Sequence, residues 1–222
     1  MGIRDSSPNA RRYMESGKVN VSEWTNYSLS VRFKAAAAGV SFYPARNIMG
    51  TDTFHYSGAK IIQCPFTGVK YAAMPAIYPD IAVIHVHESD IYGNCRIRGI
   101  TVSDLDVARA AKHLIITTER LIQNDEIRRD PSYTAIPYYY VDAVCEVPYG
   151  SYPGNMYGEY FSDEEHLKEW LKVEENPEEF KKFLDKNIYS CKDHFEYIEK
   201  NGGMHKLLRL REKEFMFSKA RD

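Results

Sequence analysis

The clearest pattern along the chain is a nearly continuous apolar run that ends in a polar segment. Residues 81–87 read IAVIHVH and are apolar except for two histidines. Such a run is typical of a strand that is buried on both faces of a parallel sheet. The polar segment from Glu88 to Asn94 follows directly. Because ligands in an open α/β sheet bind outside the carboxyl ends of the strands, we expect the chemistry of this chain at that segment.

The next patterns complete a βαβ unit. Ser103-x-x-Asp106 is a capping-box pattern that predicts a helix reaching about His113. Residues 114–118 are predicted to form another buried strand, and residues 140–147 a further strand that Pro148 ends. A strand, a helix and a strand at this spacing predict a right-handed crossover and therefore an α/β fold.

The N-terminal half predicts one helix and three short strands. Ser22 is the predicted N-cap of the helix, which continues through the alanine run that ends at Ala38. The predicted strands are residues 40–43, which Pro44 ends, and a hairpin made of residues 60–64 and 70–74. Between the first predicted strand and the hairpin, residues 47–60 are predicted to form a long loop.

The last part of the chain, from about residue 162 to 222, is predicted to be helical and strongly charged. Ser162 and Asn176 are the predicted N-caps of two helices, and a third helix is predicted to end at Gly202. The sequence shows no repeat, no low-complexity segment and no linker. With 222 residues, we therefore expect a single domain over residues 1–222 that includes this helical C-terminal part.

The composition is that of a globular protein and gives no support to nucleic-acid binding or to a membrane span. Hydrophobic residues make up 44% and charged residues 27%, a balance that is ordinary for a globular protein. A formal net charge of −2 offers no basic surface for nucleic acid, and no apolar run approaches the length of a membrane span. The four cysteines are scattered without a CxxC pair, which predicts reduced thiols in a cytoplasmic protein.

The two histidines of the apolar run are candidate metal ligands. His85 and His87 lie two residues apart on the predicted strand, so both side chains point to one face. A metal site needs a third and a fourth ligand, and no further ligand lies nearby in a known metal pattern. Two packed, hydrogen-bonded histidines are the favoured interpretation, and we predict no metal.

Glu88 is the best carboxylate candidate, because it lies at the carboxyl end of the strand. It could act as a nucleophile or a base if burial raised its pKa. The alternative, a solvated loop residue, is favoured. Gly93 and Asn94 form a turn dipeptide that permits positive φ, and its N–H groups either face a ligand or only reverse the chain.

A second candidate segment is Gly50 to Thr53, which could present hydroxyl and N–H groups to a phosphate or a carboxylate. It lacks the GxxxxGK[ST] and GxGxxG patterns of known nucleotide-binding loops. An ordinary turn is therefore the favoured interpretation. The sequence also has no GxSxG pattern, so a serine hydrolase of the α/β type has no support.

Several segments together resemble the A subunit of class I coenzyme A transferases, most closely the glutaconate CoA-transferase type. The order of the segments is that of the family, which makes the set more specific than any one of them. The segments are residues 50–52, 78–87, 93–99, 106–112, 125–131, 141–144, 148–153 and Lys192-Asp-His-x-x-Tyr197.

This resemblance implies a three-layer α/β fold with an open, mainly parallel sheet and flanking helices. It implies a homologous B subunit, with the active site between the two subunits. The reaction of the family is ping-pong: a glutamate attacks an acyl-CoA, and a glutamyl-CoA thioester carries CoA to a second carboxylate. The substrates are an acyl-CoA thioester and a carboxylic acid, and no cofactor is bound permanently.

The resemblance also divides the roles between the two homologous chains. In glutaconate-type enzymes the glutamate belongs to the B subunit, so no residue of this chain is expected to be the nucleophile, and Glu88 is the strongest internal rival. The chain would supply a wall of the active site and contacts to the acyl group. The expected substrate-binding residues are Gly50, Thr51, Asp52, Glu88, Gly93 and Asn94.

The chain departs from the family at its N-terminus. Family A subunits carry a long stretch, with the first strands and a glycine-rich loop, before the segment that residues 9–13 resemble. Either the gene is split, or the start is truncated, or a separate chain completes the sheet. An incomplete sheet would leave an open edge and uncovered apolar surface.

A second departure concerns the related steroid-ring-opening hydrolases, which keep a catalytic glutamate in the A subunit. Asn26 aligns near that position, and Glu23 is expected to be off register on the helix. This favours a transferase. A subunit of a CoA-ester hydrolase and a non-catalytic assembly subunit remain alternatives. Glutaconate, another dicarboxylate, a 3-oxoacid and an aromatic acid are all compatible acyl groups.

Overall fold

The computed structural model describes residues 7–219, with side chains to residue 216, and it divides into two compact units. One unit is Val21–Glu146, and the other combines Met1–Asn20 with Val147–Asp222. In chain order the elements are α1 (Pro8–Glu15), α2 (Asn26–Ala37), β1 (Phe42–Ala45), α3 (Asp52–His55), β2 (Lys60–Gln63), β3 (Lys70–Pro75), β4 (Ile81–Ser89), β5 (Cys95–Arg96), α4 (Asp104–Ala110), β6 (His113–Leu121), α5 (Asn124–Arg129), β7 (Ala143–Glu146), α6 (Glu164–Val173), α7 (Pro177–Leu184), α8 (His194–Asn201) and α9 (Gly203–Lys219).

The unit Val21–Glu146 contains two sheets with helices between them. One sheet is antiparallel in the order β1-β3-β2, and the other has the order β5-β4-β6-β7, in which β4, β6 and β7 are parallel. Helix α2 packs on β1 and β3 and on α4, and α4 packs on β4. The predicted α/β class, with layered sheets, a mainly parallel open sheet and flanking helices, is confirmed.

The core of the parallel sheet lies on one face. Ala82, Ile84 and Val86 of β4 are buried together with Ile116 of β6 and Ala108 of α4. The opposite face is different, because Ile81 and Val83 are 62% and 63% exposed. The prediction that this strand is buried on both faces is therefore wrong for its first half, where these two side chains are largely exposed.

Two helix starts differ from the prediction. Helix α2 is capped by Thr25 rather than Ser22: the Ser28 N–H donates to Thr25 Oγ1 at 3.1 Å, and the Thr25 N–H donates to Ser28 Oγ at 2.7 Å. Ser22 instead accepts a hydrogen bond from the indole of Trp24 at 2.8 Å. Similarly, α6 is capped by Asp163 and not by Ser162. In both cases the helix begins after the residue whose side-chain oxygen accepts a hydrogen bond from a helix N–H group.

The predicted hairpin is confirmed as β2 and β3, which pair antiparallel. The strand β1 continues through Pro44 to Ala45, although the sequence predicts that the proline ends it. Proline is tolerated there because β1 lies at the edge of the sheet that the described residues form, where it pairs with β3 on one side. The predicted long loop contains the short helix α3, and the last predicted strand begins later, at Ala143, because residues 138–140 form a 3-10 turn.

The second unit is helical in its C-terminal part. Asn176 caps α7 as predicted, accepting hydrogen bonds from the N–H groups of Glu178 and Glu179. Around the buried Asp163, the Tyr152 hydroxyl donates at 2.7 Å and the Lys206 ammonium at 2.9 Å. The single domain over residues 1–222 stays a prediction beside these two units. Among the helices of residues 7–219, none is long and apolar enough to cross a membrane.

Candidate functional site

The carboxyl end of β4 places Glu88 among three arginines. Glu88 lies opposite Arg96 of β5 and Arg120 of β6 in the strand register, so the three side chains share a face. Its Oε1 accepts from Nη2 of Arg98 at 2.7 Å and from Nη2 of Arg120 at 3.1 Å. Its Oε2 lies 3.7 Å from Nη1 of Arg96. We call these four residues the Glu88 cluster.

The environment of Glu88 differs from the solvated loop that the sequence favours. Glu88 belongs to the strand, and its side chain is only 14% exposed. Burial alone would raise its pKa, but the hydrogen bond from Arg120 and the charges of Arg98, Arg120 and Arg96 outweigh burial and lower the pKa. The raised pKa that a role as base requires is therefore absent.

Asp90 organises the loop that follows β4. It is fully buried, and its Oδ1 accepts the N–H groups of Tyr92 at 3.0 Å and Asn94 at 2.9 Å. Its Oδ2 accepts the side-chain amides of Asn94 at 2.8 Å and Asn124 at 2.7 Å. Burial raises the pKa of Asp90, but these hydrogen bonds, led by that from Asn124, lower it overall. The carboxylate therefore holds the loop in one conformation.

Sequence reasoning passed over both Asp90 and the arginines. A signal existed for Asp90, since an aspartate a few residues before a Gly-Asn pair is typical of turns that a carboxylate stabilises. A weaker signal existed for Arg96 and Arg98, which alternate after the turn and could be expected on a strand that pairs back to β4. The contribution of Arg120, which lies 32 residues from Glu88, depends on the register of β4 and β6.

Gly93 and Asn94 are used inside the loop. Gly93 has a φ of +98°, and a Cβ at this position would lie 2.7 Å from Cβ of Val141. The Gly93 N–H donates to the carbonyl of Asp90 at 3.1 Å, and Oδ1 of Asn94 accepts from the N–H of Tyr138 at 3.2 Å. These contacts favour the chain-reversing interpretation of the dipeptide, and direct binding of substrate by either residue stays a prediction.

The segment of Gly50, Thr51 and Asp52 lies elsewhere in the unit. It connects β1 to β2, next to Ile48 in the core of the antiparallel sheet. The Thr51 hydroxyl donates to the carbonyl of Ile48 at 2.7 Å, and Asp52 begins the short helix α3. The predicted substrate-binding residues thus lie at two different sheets: Glu88 is in β4 of the mainly parallel sheet, and Gly93 and Asn94 are in the turn between β4 and β5. Their joint role in a site stays a prediction.

The two histidines of β4 have hydrogen-bond partners. In the ring of His85, Nδ1 lies 2.9 Å from Thr117 Oγ1, and Nε2 lies 2.8 Å from Glu119 Oε1. His87 is buried, and its Nδ1 accepts the N–H of Arg98 at 3.1 Å. Within residues 7–219, no three side chains of the His, Cys, Asp or Glu type gather closely enough to hold a metal ion.

Asn26, which the resemblance places near the catalytic glutamate of the ring-opening hydrolases, lies at the start of α2. Asn26 is the first residue of this helix. Glu23 lies before the helix, where its N–H donates to the carbonyl of Tyr56 at 3.0 Å. The expected place of Glu23 on the helix is therefore wrong, because the Thr25 cap shifts the start of α2 beyond it.

Comparison with known proteins gives consistent matches. Residues 2–147 match the family model described as Coenzyme A transferase. The chain is 35% identical to the A subunit of the glutaconate CoA-transferase of Acidaminococcus fermentans, over 90% of this chain and 68% of that one. It is 32% identical to the A subunit of the 3-oxoadipate CoA-transferase of Pseudomonas knackmussii, over 82% of this chain and 64% of the relative.

The structural comparison agrees with the sequence matches. The crystal structure of the Acidaminococcus glutaconate coenzyme A-transferase superposes with a TM-score of 0.87 over 92% of this chain and 70% of that one. An uncharacterized protein of Archaeoglobus fulgidus is 49% identical over 94% of this chain, which spans only 47% of that relative. The chain thus spans between about half and two thirds of the length of these relatives.

Proposed function

Because this chain belongs to the coenzyme A transferase family, we propose that it acts as one subunit of a heteromeric CoA-transferase. The complex moves CoA between an acyl-CoA and a carboxylic acid. The observation that carries the proposal is the match to the A subunit of a glutaconate CoA-transferase over 90% of the chain at 35% identity. That relative's name supports the role of an A subunit for this chain.

The proposed mechanism is a ping-pong exchange on a partner glutamate. A homologous B subunit supplies the carboxylate that attacks the acyl-CoA, and the resulting glutamyl-CoA thioester passes CoA to the second acid. Covalent catalysis of this kind divides one difficult exchange into two easier steps. The CoA thioester is a substrate in this scheme, and the proposal includes no permanently bound cofactor.

The environment of Glu88 supports this division of roles. Three guanidinium groups surround the carboxylate of Glu88, and two of them donate hydrogen bonds to Oε1 at 2.7 and 3.1 Å. Charge-assisted hydrogen bonds of this kind are among the strong ones in proteins, so they lower the reactivity of the oxygen that accepts them. The cluster thus suits a wall of the site better than its reacting group.

The start of α2 supports a transferase over a ring-opening hydrolase. The hydrolase alternative requires a catalytic glutamate near Asn26, and Glu23 lies outside the helix. A neutral amide such as Asn26 cannot act as a general base or as a carboxylate nucleophile. The trapping experiment below distinguishes a catalytic complex from the remaining alternative, a non-catalytic assembly subunit. A cytoplasmic location is part of the same proposal.

The test is to trap the covalent intermediate. The chain is produced together with a candidate homologous B subunit, incubated with acyl-CoA, and reduced with borohydride before mass spectrometry of the peptides. We expect the modification on a glutamate of the partner. Modification of Glu88, or of any other glutamate of this chain, would show the reverse assignment of roles. An intact complex without any modification would instead identify an assembly subunit.

A further inference from the structure

A groove runs along one face of α2. The residues that share this face are spaced four positions apart along α2 and its C-cap, and they are Asn26, Ser30, Lys34 and Ala38. Tyr43 of β1, the strand on which α2 packs, also lines the groove. All of these residues belong to one compact unit of the chain.

One part of the groove, the apolar arm, has a volume of about 660 Å³. Apart from Lys34, its lining consists mostly of apolar side chains, among them Ala38, Val40, Phe42 and Pro44. Val40 and Phe42 are exposed, so they offer apolar surface to a ligand. Ligand pockets typically have volumes of about 300–1,000 Å³ and are mostly apolar with a few polar groups, which describes this arm.

The other part, the polar arm, has a volume of about 320 Å³ and adjoins the apolar arm at Lys34 and Tyr43, which line both. Asn26, Ser30 and Asp106 line the polar arm. The Ser30 hydroxyl is already engaged, since it donates to the carbonyl of Asn26 at 2.9 Å. The side chains that carry a charge or an amide therefore lie at the junction of the two arms or in the polar arm.

Lys34 supplies the positive charge at the junction. Among the described residues no carboxylate forms an ion pair with its ammonium group, and Asp106 of the polar arm forms none either. A cation beside an apolar cavity is complementary to a carboxylate that carries an apolar body.

We propose that this groove binds the substrate acid, and that this acid is an apolar monocarboxylic acid of the arylalkanoate class. The carboxylate lies beside Lys34, and the aryl group lies in the apolar arm, where Phe42 and Tyr43 offer aromatic rings for contact. This inference deepens the proposed function and rests on it for the view that the bound acid is a substrate.

The lining of the groove disfavours a dicarboxylate. A second carboxylate would lie either in the apolar arm, where Lys34 carries the only charge among the lining residues, or in the polar arm beside Asp106. Burying a charge without a partner is costly, and a neighbouring like charge adds repulsion. The names of two relatives specify glutaconate and 3-oxoadipate, which are dicarboxylates, so the inference separates the acid of this chain from the acids in those names.

The test measures the binding of three compounds to the full 222-residue chain by calorimetry and by saturation-transfer NMR. The compounds are 3-phenylpropanoate, its neutral amide, and the dicarboxylate glutarate. We expect 3-phenylpropanoate to bind more tightly than glutarate by about tenfold or more, because only its body can enter the apolar arm without a charge. We expect it to bind more tightly than the amide by about threefold, as for a partly screened ion pair.

Variants separate the roles of the charge and of the apolar arm. Lys34→Gln is expected to remove the preference for the acid over the amide, whereas Lys34→Arg is expected to keep it. Lys70→Gln is the matched control, because Lys70 is exposed and lines neither arm, and the preference is expected to be unchanged. Ala38→Phe fills part of the apolar arm and is expected to weaken binding of the acid and the amide alike, by about tenfold.

The inference is overturned if 3-phenylpropanoate does not bind, if glutarate binds equally well, or if Lys34→Gln and Lys70→Gln change the preference equally. Unchanged binding by Ala38→Phe would also overturn it, because the aryl group would then lie elsewhere. Urea unfolding shows that each variant is folded before binding is measured. Because the binding measurement uses neither CoA nor a B subunit, its failure leaves the proposed CoA transfer standing. Failure of the trapping experiment would leave the groove standing as a binding site for the acid.

Discussion

The chemistry available to Glu88 depends on arginines from two neighbouring strands and from the segment after β5. A carboxylate at a strand end is a general candidate for catalysis, but here it lies among three guanidinium groups and is kept ionised by them. Arg98 and Arg120 are partly exposed, so solvent screens part of each attraction. Glu88 therefore joins β4, β5 and β6 more than it offers a reactive oxygen.

Replacing Glu88 with Gln tests this role. The amide keeps the shape of the side chain but loses the charge that the arginines surround. We expect the free energy of unfolding to fall by about 1–3 kcal/mol, as for the loss of a hydrogen bond to a charged group. Urea unfolding measures the change, with Glu199→Gln on the exposed side of α8 as the control. An unchanged stability would contradict a structural role for the Glu88 cluster.

The lowered pKa values of Glu88 and Asp90 predict a dependence of stability on pH. In the unfolded chain the pKa of each of these carboxyl groups is about 4. Because folding lowers their pKa values, their stabilisation is fully present above that pH and is lost as the pH falls through the folded values. We expect the stability difference between the natural chain and Asp90→Asn to be constant above about pH 5 and to shrink below it.

Measuring urea unfolding of both proteins between pH 3 and pH 7, on the order of one point per half unit, checks this prediction. Glu199→Gln is again the control, and its difference from the natural chain is expected to stay small throughout. A difference that grows as the pH falls would reverse the sign and contradict the lowered pKa values.

Gly93 combines two requirements, a positive φ and a close neighbour. At Gly50, φ is +77° and a Cβ would meet nothing within 4 Å, so Gly50→Ala isolates the conformational cost, about 1–2 kcal/mol. At Gly93, a Cβ would also meet Val141 at 2.7 Å. We therefore expect Gly93→Ala to cost more than Gly50→Ala, by about 1–3 kcal/mol. Adding Val141→Ala should recover part of that excess, and equal costs for the two glycines would contradict this account.

At the scale of elements, local capping sets where helices begin, and register sets which side chains meet. The start of α2 is decided by the reciprocal bonds of Thr25 and Ser28 rather than by the first serine of the segment. The meeting of Glu88 with Arg96 and Arg120 is decided by the pairing of β4 with β5 and β6. Capping is local and readable in a sequence, whereas register joins residues that lie far apart in the chain.

The capping assignment predicts a difference between two nearby substitutions. Thr25→Ala removes the oxygen that accepts the Ser28 N–H, and we expect a loss of about 0.5–2 kcal/mol in stability. Ser22→Ala removes the hydroxyl of an exposed residue that accepts the Trp24 indole N–H, and its effect is expected within about 0.5 kcal/mol. Thermal or urea unfolding measures both. If Ser22→Ala were the more damaging change, the predicted cap at Ser22 would be the better assignment.

At the scale of the whole molecule, the proposed reaction needs more than this chain. The proposed function has an active site between two subunits, and the apolar side chains of Ile81 and Val83 in β4 are exposed. We expect the chain alone to show no CoA transfer and to self-associate, because large exposed apolar patches promote association. Activity is expected when the B subunit is added. A soluble monomer of this chain with full transfer activity, measured by light scattering and a CoA-exchange assay, would contradict this.

Much of the fold could be predicted because its signals are local. The apolar run at residues 81–87, the capped helix after residue 103 and the hairpin of residues 60–63 and 70–75 all appear in the structure, with shifts at their ends. Burial could not be read in the same way. An apolar residue such as Val83 carries the same pattern whether or not another segment covers it, and coverage depends on the rest of the assembly.

The candidate site also combines features that the sequence predicts with features that depend on the folded structure. By itself, the sequence determined that a carboxylate follows a strand, that a Gly-Asn turn comes next and that the segments keep the order of the CoA-transferase family. Only the tertiary structure decided that Arg120 reaches Glu88, that the buried Asp90 accepts four hydrogen bonds, and that Gly50 to Asp52 connect two strands of the other sheet. The physical reason is distance along the chain: periodicity and capping act over a few residues, whereas the charge and the solvent around a side chain come from strands that only folding brings together.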